Sequence, residues 1–351
     1  MIRAIINKLS LALLSVLTVA ALITTIIFYT PVDPARMSFG QRSDEETIQL
    51  FKKKYYLDQP FYVQVWRYFE DLSPLQIITP SDPRMSDYRY TTLFSAYGQL
   101  WITKWPYFRK SYHDGRNVIS HIAEALPGTM ALALASILMS VFLGVAAGLY
   151  AGMNQNTTGD RLIMSITTIL YAIPSYVSSL LVALIFAFVL GKWTHLPLQG
   201  SFWDFNDLGD EQIFVSHLIL PALALGLRPV SVITQMTRTS VLDVLGSDYV
   251  RTARSKGIGK AKLIRHHILP NSMNPIITTI SSWFASLLTG SFFVEYIFNY
   301  KGLGLLTISA LQHFDIPMIT GCCIVTVIIF IIISNLTDLA YTFFDPRVKI
   351  D

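Results

Sequence analysis

Six apolar runs, each about as long as a bilayer is thick, constrain this chain more than any other feature. Of its 351 residues, 52% are hydrophobic and only 14% are charged, whereas soluble domains carry about 25% charged residues. A helix that crosses the hydrocarbon core needs about 20 predominantly apolar residues. The runs cover residues 9–28, 129–150, 162–190, 213–233, 276–298 and 318–343. The sequence therefore predicts an all-α membrane protein with six transmembrane helices.

The first run, residues 9–28, is interpreted as a retained span, with a signal peptide as the alternative. A signal peptide has an apolar region of about 7–15 residues, followed by a small-residue cleavage site. This run is longer, and Tyr29, Thr30 and Pro31 follow it. Residues 1–30 are therefore expected to form the N-terminal end and the first helix.

Basic residues set the predicted orientation, because short loops rich in Lys and Arg stay on the cytoplasmic side. The bases that fall on one side of a six-span chain are those of segment 236–275 together with Arg3, Lys8, Arg161, Arg347 and Lys349. Both termini, including the tail 344–351, are therefore expected in the cytoplasm. Segment 31–118 is placed outside, since long loops do not follow the charge rule. We expect it to contain an amphipathic helix at 44–56 and to cap the outer mouth or meet a soluble partner; a small scaffold on the outer face is the alternative.

Segment 236–275 concentrates the positive charge of the chain between two apolar runs. It holds seven Lys or Arg residues against two acidic residues, a net charge of +5, whereas the whole chain carries +4. A solvated loop that faces lipid headgroups would explain the charge alone. The internal order of the segment favours a docking element instead.

That order predicts two short helices joined by a glycine turn. Ser247 can cap a helix over 248–256, and Gly257 suits the position just beyond its C-terminus. A second basic helix is expected over 260–269. It should end there because Pro270 disfavours helix at the preceding residue.

One face of the first short helix is expected to meet another surface. Tyr249, Val250 and Ala253 share that face at spacings of three and four. The small side chain of Ala253 would leave room there for a partner to approach.

The segment resembles the cytoplasmic signature of permease subunits of bacterial ABC importers, often called the EAA loop. That signature reads Glu-Ala-Ala, three residues, Gly, nine residues and Ile-x-Leu-Pro. The matching positions here hold Arg251, Thr252, Ala253, Gly257, His267, Leu269 and Pro270. Arg251, Thr252 and His267 depart from the general pattern. The form YVRTARSKG is similar to the oligopeptide, dipeptide and nickel branch of these permeases.

Further segments resemble the same branch and together cover nearly the whole chain, except much of 72–108. They are PVDPARM after the first run, KKYYLDQPFYVQVWRY, HLILPALALG, VEYIFNYKGLG and the C-terminal NLTDLAYTFFDPRVK. The resemblance implies the type I fold of ABC importer permeases. It also implies a large extracytoplasmic loop at 31–118 and a permease core at 119–343.

In that family the short cytoplasmic helix is a coupling helix that sits in a groove of the ATP-binding subunit. The resemblance assigns this role to Asp248, Tyr249, Arg251, Thr252, Ala253, Arg254, Gly257, Leu269 and Pro270. The partners it implies are two ATP-binding subunits, a second homologous permease, an extracytoplasmic substrate-binding protein and the lipid of a bacterial inner membrane, with no nucleic acid. ATP and Mg would bind the ATP-binding subunits. GIGKAK is not a phosphate-binding loop, since it lacks the first glycine and the final hydroxyl residue.

Candidate residues for the substrate path lie on the third and fifth runs. They are Pro174, Ser175 and Ser178 in a kinked third span, and Ser282, Ser286 and Thr289 in the fifth. Hydroxyl groups can bind a peptide backbone, although each can equally satisfy a carbonyl of its own helix. Glu295 and Asp338, near the ends of their spans, are interpreted as structural anchors.

Two other classes of function compete with an importer permease. An ion-coupled carrier or channel would usually place acids or histidines deep in its spans, and this chain has few there. A membrane-embedded hydrolase would need a nucleophile and base or a metal site. The adjacent His266 and His267 point to different helix faces, and Cys322 and Cys323 are read as apolar filling. We therefore expect no catalytic residue, metal or cofactor on this chain, and the cargo stays open among oligopeptides, dipeptides, nickel chelates and modified peptides.

Overall fold

The computed structural model describes Ser10 and residues 14–23, 25–26, 35–36, 44–205 and 209–344, without the side chains of 54, 83 and 338–344. Within the first predicted span, the apolar helix Leu14–Ile23 (α1) is described. Most of the remainder of that span, most of the PVDPARM segment, the side chain of Asp338 and the tail from 345 onward lie outside the described residues.

Two compact units make up the chain, and each is described by itself. The loop unit comprises Ile2–Glu124 with Leu306–Ile328, and the core unit comprises Ala125–Leu305 with Ile329–Asp351.

The loop unit contains both helices and strands. Its helices are Glu45–Lys54 (α2) and Phe61–Leu72 (α3), and its strands are Leu75–Ile78 (β1), Tyr90–Ala96 (β2) and Gln99–Lys104 (β3). The α2 helix confirms the amphipathic helix predicted at 44–56. Its first turn carries Glu45 and Glu46, which the positive end of the helix dipole stabilises.

The expectation of an all-α chain is wrong in this unit. Its three strands form an antiparallel sheet in the order β1-β3-β2. Tyr97 and Gly98, with φ of 52° and 76°, join β2 to β3. A two-residue turn with both φ values positive matches the twist of a hairpin. The β-branched and aromatic residues of 90–104 then favour strands over helix.

Two buried carboxylates hold the loop unit together. Asp71 accepts a hydrogen bond of 2.7 Å from Nε of Arg109. Asp315 accepts from the backbone N–H of Tyr112 at 3.2 Å and of Met318 at 3.3 Å. The second of these bonds caps the helix that follows Asp315, because helix N-termini leave N–H groups unpaired.

The rest of the described chain is predominantly helical. In order its elements are Val118–Met153 (α4), Thr158–Ala172 (α5), Ser175–Val182 (α6) continued by a π-helix at Ala183–Val189, Gly191–Thr194 (α7), Trp203–Phe205 (β4), Glu211–Ile213 (β5), Val215–Leu245 (α8), Asp248–Ser255 (α9), Lys260–Leu263 (α10), a π turn at Ile264–Ile268, Leu269–Gly290 (α11), Phe292–Ile297 (α12), Leu303–Gln312 (α13) and Ile316–Phe344 (α14). The paired β4 and β5 are a second departure from the all-α expectation.

Three described helices are long and apolar enough to cross a membrane: α4, α8 and α14. A fourth span results if α5 and α6 count as one, although they bend by 112°. The third predicted span is therefore broken, not merely kinked. Pro174 removes a backbone N–H and disfavours helical geometry at Ile173, so the helix stops there.

Small residues bring α4 and α8 close together. Gly144, Gly148 and Gly152 form a ladder at spacings of four on α4, and a Cβ at Gly148 would lie 2.5 Å from the carbonyl oxygen of Thr234. Such ladders let membrane helices approach closely. The ladder thus sets the spacing of the two longest helices of the core unit.

Candidate functional site

The α9 helix ends in a well-defined C-terminal turn. The backbone N–H of Gly257 donates to the carbonyl of Arg254 at 2.9 Å, and that of Ile258 donates to the carbonyl of Ala253 at 3.3 Å. This pair of bonds is the Schellman motif, whose residue beyond the cap adopts positive φ. Gly257 has φ of 75°. The predicted short helix and glycine corner are confirmed, with α9 at Asp248–Ser255.

The buried face of α9 differs from the predicted one. Val250 and Ala253 are buried against Val241, Leu263 and Ile268 of the same chain, whereas Tyr249 is 44% exposed. The Ala253 side chain therefore makes room for the chain's own loop, not for a partner. The three residues span an arc of about 100° on the helix, and Tyr249 lies at the exposed edge of that arc.

The exposed side of α9 carries charged side chains and side chains with hydroxyl groups. Arg251 and Asp248 are 81% and 95% exposed and lie 3.7 Å apart, a pair worth about 0–1 kcal/mol. The predicted side-chain cap by Ser247 does not form, because its hydroxyl donates to the carbonyl of Val244. This side of the helix can therefore contact a partner without the loss of any contact that stabilises the fold.

The polar segment is shorter than predicted at both ends. The α8 helix continues to Leu245, so residues 236–245 extend the fourth span. The second basic helix does not end near 269. It passes through the π turn Ile264–Ile268 into α11, with Pro270 in the first turn of that helix. A first-turn proline needs no N–H partner, which explains why Pro270 is tolerated there.

The hydroxyl groups predicted on the fifth run lie on the exposed side of α11. Ser282, Ser286 and Thr289 are all exposed, and each hydroxyl donates to a carbonyl of its own helix at 3.0–3.1 Å. Because each hydroxyl uses its proton in this bond, its oxygen lone pairs remain free to accept hydrogen bonds. The α11 helix has 22 residues but is not among the helices apolar enough to count as spans.

The residues predicted on the third run occupy the break between α5 and α6. Pro174 is exposed and precedes α6, while Ser178 is buried and donates to the carbonyl of Pro174 at 3.3 Å. The ring of Tyr176 lies 6.2 Å from that of Phe293. Ser178 thus stabilises the turn, and Pro174 and the partly buried Ser175 remain at its surface.

Glu295 anchors the segment that follows α11. Its carboxylate accepts hydrogen bonds from the Thr129 hydroxyl at 2.8 Å and from the N–H groups of Gly304 and Leu305 at 2.6 and 3.2 Å. Thr129 in turn accepts from the N–H of Leu303 at 2.8 Å. Three bonds satisfy a carboxylate that is 0% exposed, and the fourth fixes Thr129 beside it, which confirms the prediction of a structural role.

An ion pair between Lys301 and Asp204 joins the two-stranded ribbon of β4 and β5 to the segment that follows α11. The Lys301 ammonium donates to Asp204 at 2.8 Å. Burial would raise the pKa of the Asp204 carboxyl, but hydrogen bonds from Lys301 and from the N–H groups of Phe205 and Ser201 outweigh it and lower that pKa. Asp204 therefore stays ionised and paired at neutral pH.

The Asp160 carboxylate joins α5 to α8. Arg238 donates from Nε and Nη2 to the two oxygens of Asp160 at 2.6 and 2.8 Å. Asp160 is 3% exposed. Bidentate pairs of this kind fix geometry as well as charge.

Arg228 of α8 was missed in the sequence. It lies within the fourth apolar run, and its Nε is buried without a hydrogen-bond partner among the described residues. A lone arginine at the centre of a membrane helix costs about 2.5–3.5 kcal/mol on insertion scales, so such a residue suggests function. The sequence does contain a signal for this residue, a single arginine within the apolar run 213–233. It was overlooked because the run as a whole has the composition of a membrane span.

Metal binding has no support in the described part of the chain. No group of three or more His, Cys, Asp or Glu side chains there could hold a metal ion.

Comparison with known proteins agrees with this architecture. The family model "Binding-protein-dependent transport system inner membrane component" matches residues 144–350, and its N-terminal companion model matches residues 1–80. The chain is 30% identical over 350 residues to the glutathione transport system permease protein GsiC of Salmonella paratyphi A (strain ATCC 9150 / SARB42) and of Escherichia coli (strain K12). Each match covers 99% of both chains.

A solved structure shares the fold over about two thirds of this chain. The inward-facing MetNI methionine ABC transporter aligns with a TM-score of 0.50 at 13% identity, covering 66% of this chain and 98% of that chain. The predicted family and its oligopeptide-type branch are confirmed. This chain belongs to the binding-protein-dependent transport system inner membrane components, as the permease subunit of an ABC importer and not its ATPase.

Proposed function

We propose that this chain forms half of the translocation path of an ATP-driven importer of peptides and receives the ATPase motion through α9. The relatives named above are permeases for glutathione, itself a small peptide, and this supports peptide cargo. The proposal includes six spans in the type I arrangement, cytoplasmic termini, and residues 31–118 outside, before a permease core at 119–343.

The exposed, rigidly terminated α9 supports the coupling role and is the observation that carries the proposal. Its buried side is fixed by Val250 and Ala253, and its end is fixed by Gly257. A helix held in this way moves with α8 and the α10 region as one body. A push on its exposed side would therefore reach the spans and favour one of two alternating states. The coupling surface consists of the assigned residues that are exposed: Asp248, Tyr249, Arg251, Thr252, Arg254, Gly257 and Pro270.

The side of α11 that carries hydroxyl groups supports a water-exposed path. Ser282, Ser286 and Thr289 present oxygen atoms where a lipid-facing helix would present hydrocarbon. Pro174 and Ser175 at the α5–α6 break complete the proposed path. Unwound backbone at membrane depth is tolerated where it lines a cavity.

The assembly we propose follows from the family. Two ATP-binding subunits bind ATP and Mg, a second homologous permease forms the other half of the path, and an extracytoplasmic binding protein delivers the substrate. An ion-coupled carrier is the alternative, and it would transport in the absence of any ATPase.

The coupling role is tested by reversing one exposed charge on α9. Arg251→Glu should reduce copurification of the ATP-binding subunits by at least about tenfold, the effect of one interface hot spot. Lys262→Glu, an equally large charge reversal at an exposed site outside α9, serves as the matched control and should retain them. Both variants should keep the wild-type melting temperature, because neither side chain is buried.

Full retention of ATPase subunits and of uptake in Arg251→Glu would contradict coupling through this surface. Uptake by the permease without any ATPase would instead favour the ion-coupled alternative. Replacing Ala253 would be a poor test, since its side chain is buried and the change would damage the loop itself.

A further inference from the structure

Arg228 is a cation near the middle of a long apolar helix. At 1.5 Å per residue, it lies about 20 Å along the axis from Val215 and about 26 Å from Leu245. Long basic side chains near helix ends can extend to the interface, but Arg228 is far from both ends. Its charge therefore needs a partner at membrane depth.

The partner is absent from the described part of this chain. Arg228 makes no hydrogen bond or ion pair there, and its Nε is buried and unpaired. Ten residues further along the same helix, Arg238 has a bidentate partner in Asp160. The chain thus neutralises one arginine of α8 and leaves the other open.

Arg228 lies beside an exposed aromatic ring, close to a break between two helices. Its guanidinium carbon lies 5.5 Å from the centre of the Tyr171 ring. Tyr171 is 46% exposed and precedes the 112° break at Pro174 by three residues. In transporters, substrate sites near the membrane midplane are typically built at discontinuous helices.

We propose that Arg228 binds the carboxylate of the transported substrate, so that the path selects small peptides with a free carboxyl group. The planar guanidinium matches a carboxylate with two parallel N–H···O bonds, and the unpaired Nε–H can supply one of them. The ring of Tyr171 would hold the guanidinium in place through a cation–π contact. This inference rests on the proposed function, because it takes the chain as half of a peptide path.

The test measures terminal selectivity in the complete importer reconstituted in liposomes. Uptake of tri-alanine and of its C-terminal amide is compared for wild type, Arg228→Met, Arg228→Lys and Lys192→Met. One binding protein delivers both peptides to every variant, so its own selectivity cancels when ratios are compared. Lys192 is an exposed cation outside the spans, and Lys192→Met serves as the control for loss of one positive charge.

We expect the ratio of acid to amide uptake to fall at least about tenfold in Arg228→Met, as for loss of a charged hydrogen bond. Arg228→Lys should fall less, because lysine lacks the bidentate fork, and Lys192→Met should keep the wild-type ratio. An unchanged ratio in Arg228→Met would overturn the inference and leave an acidic residue of the second permease as the partner. If Arg228→Met fails to copurify with the ATPase subunits, the Lys variant decides, and an unchanged ratio there overturns the inference. Wild type that transports neither peptide would instead contradict the peptide cargo, and the assignment with it.

Discussion

The α4 and α11 helices each leave one side uncovered in the core unit, and the two sides differ in chemistry. On α4 the uncovered residues are Leu134, Leu138 and Phe142, 50–76% exposed. On α11 the residues at comparable spacing are Ser282, Ser286 and Thr289. One helix thus offers hydrocarbon, and the other offers oxygen atoms.

That difference indicates two different solvents. Lipid tails satisfy an apolar side but offer no donor to the unused lone pairs of the hydroxyl oxygens, and burying an unsatisfied polar atom in hydrocarbon is costly. We infer that α4 faces lipid and that α11 faces water or a second permease. Exposure alone does not distinguish a lipid-facing side from one that faces water or protein. The polarity of the exposed atoms does distinguish them.

The largest expected effect comes from breaking the link between the two helices. Glu295, just beyond α11, accepts from Thr129 of α4. In Gly304→Ala a Cβ would lie 2.4 Å from Cα of Phe292, and backbone atoms at that distance must shift. We expect a loss of about 3 kcal/mol or more, measured as a drop in melting temperature in detergent. Gly290→Ala meets nothing within 4 Å and should change stability by less than about 1 kcal/mol. Equal melting temperatures would show that the link does not fix α11.

A smaller effect is expected where α8 meets α5. Asp160→Asn removes the charge that Arg238 requires, and should cost about 2 kcal/mol, less than a fully buried pair because Arg238 is 23% exposed. Adding Arg238→Met should recover at least about 1 kcal/mol. Thermal unfolding of the two single variants and the double variant measures this coupling. Strict additivity would mean that the pair contributes no stability of its own.

Much of this architecture could be predicted from the apolar runs and from the residues that end helices. Apolar runs located α4, α8 and α14, and Gly257 located the end of α9, because hydrophobic length and positive φ are local properties. The acidic Glu295 was also read correctly, since a carboxylate near a span needs anchoring partners.

The remainder depends on tertiary contacts that no local pattern reveals. The sheet at 75–104 was missed because its strands are short and lie in a polar segment. Ala253 was placed on the wrong side of α9, since only the fold determines which side meets Val241 and Ile268. The continuation through Pro270 requires a π turn, which proline spacing alone does not predict. Arg228 was overlooked because it stands inside an apolar run, and only the fold shows that its Nε has no partner among the described residues.

The contrast between α4 and α11 is tested by cysteine accessibility in the assembled importer. In a background with Cys322→Ala and Cys323→Ala, single cysteines replace Ser282 or Ser286 on α11 and Leu138 or Phe142 on α4. A membrane-impermeant methanethiosulfonate reagent reacts only with thiols that water reaches. We predict reaction at 282 and 286 that changes when ATP is added, and none at 138 and 142. Protection of both α11 cysteines in every nucleotide state, or equal reaction on both helices, would contradict a water-exposed path along α11.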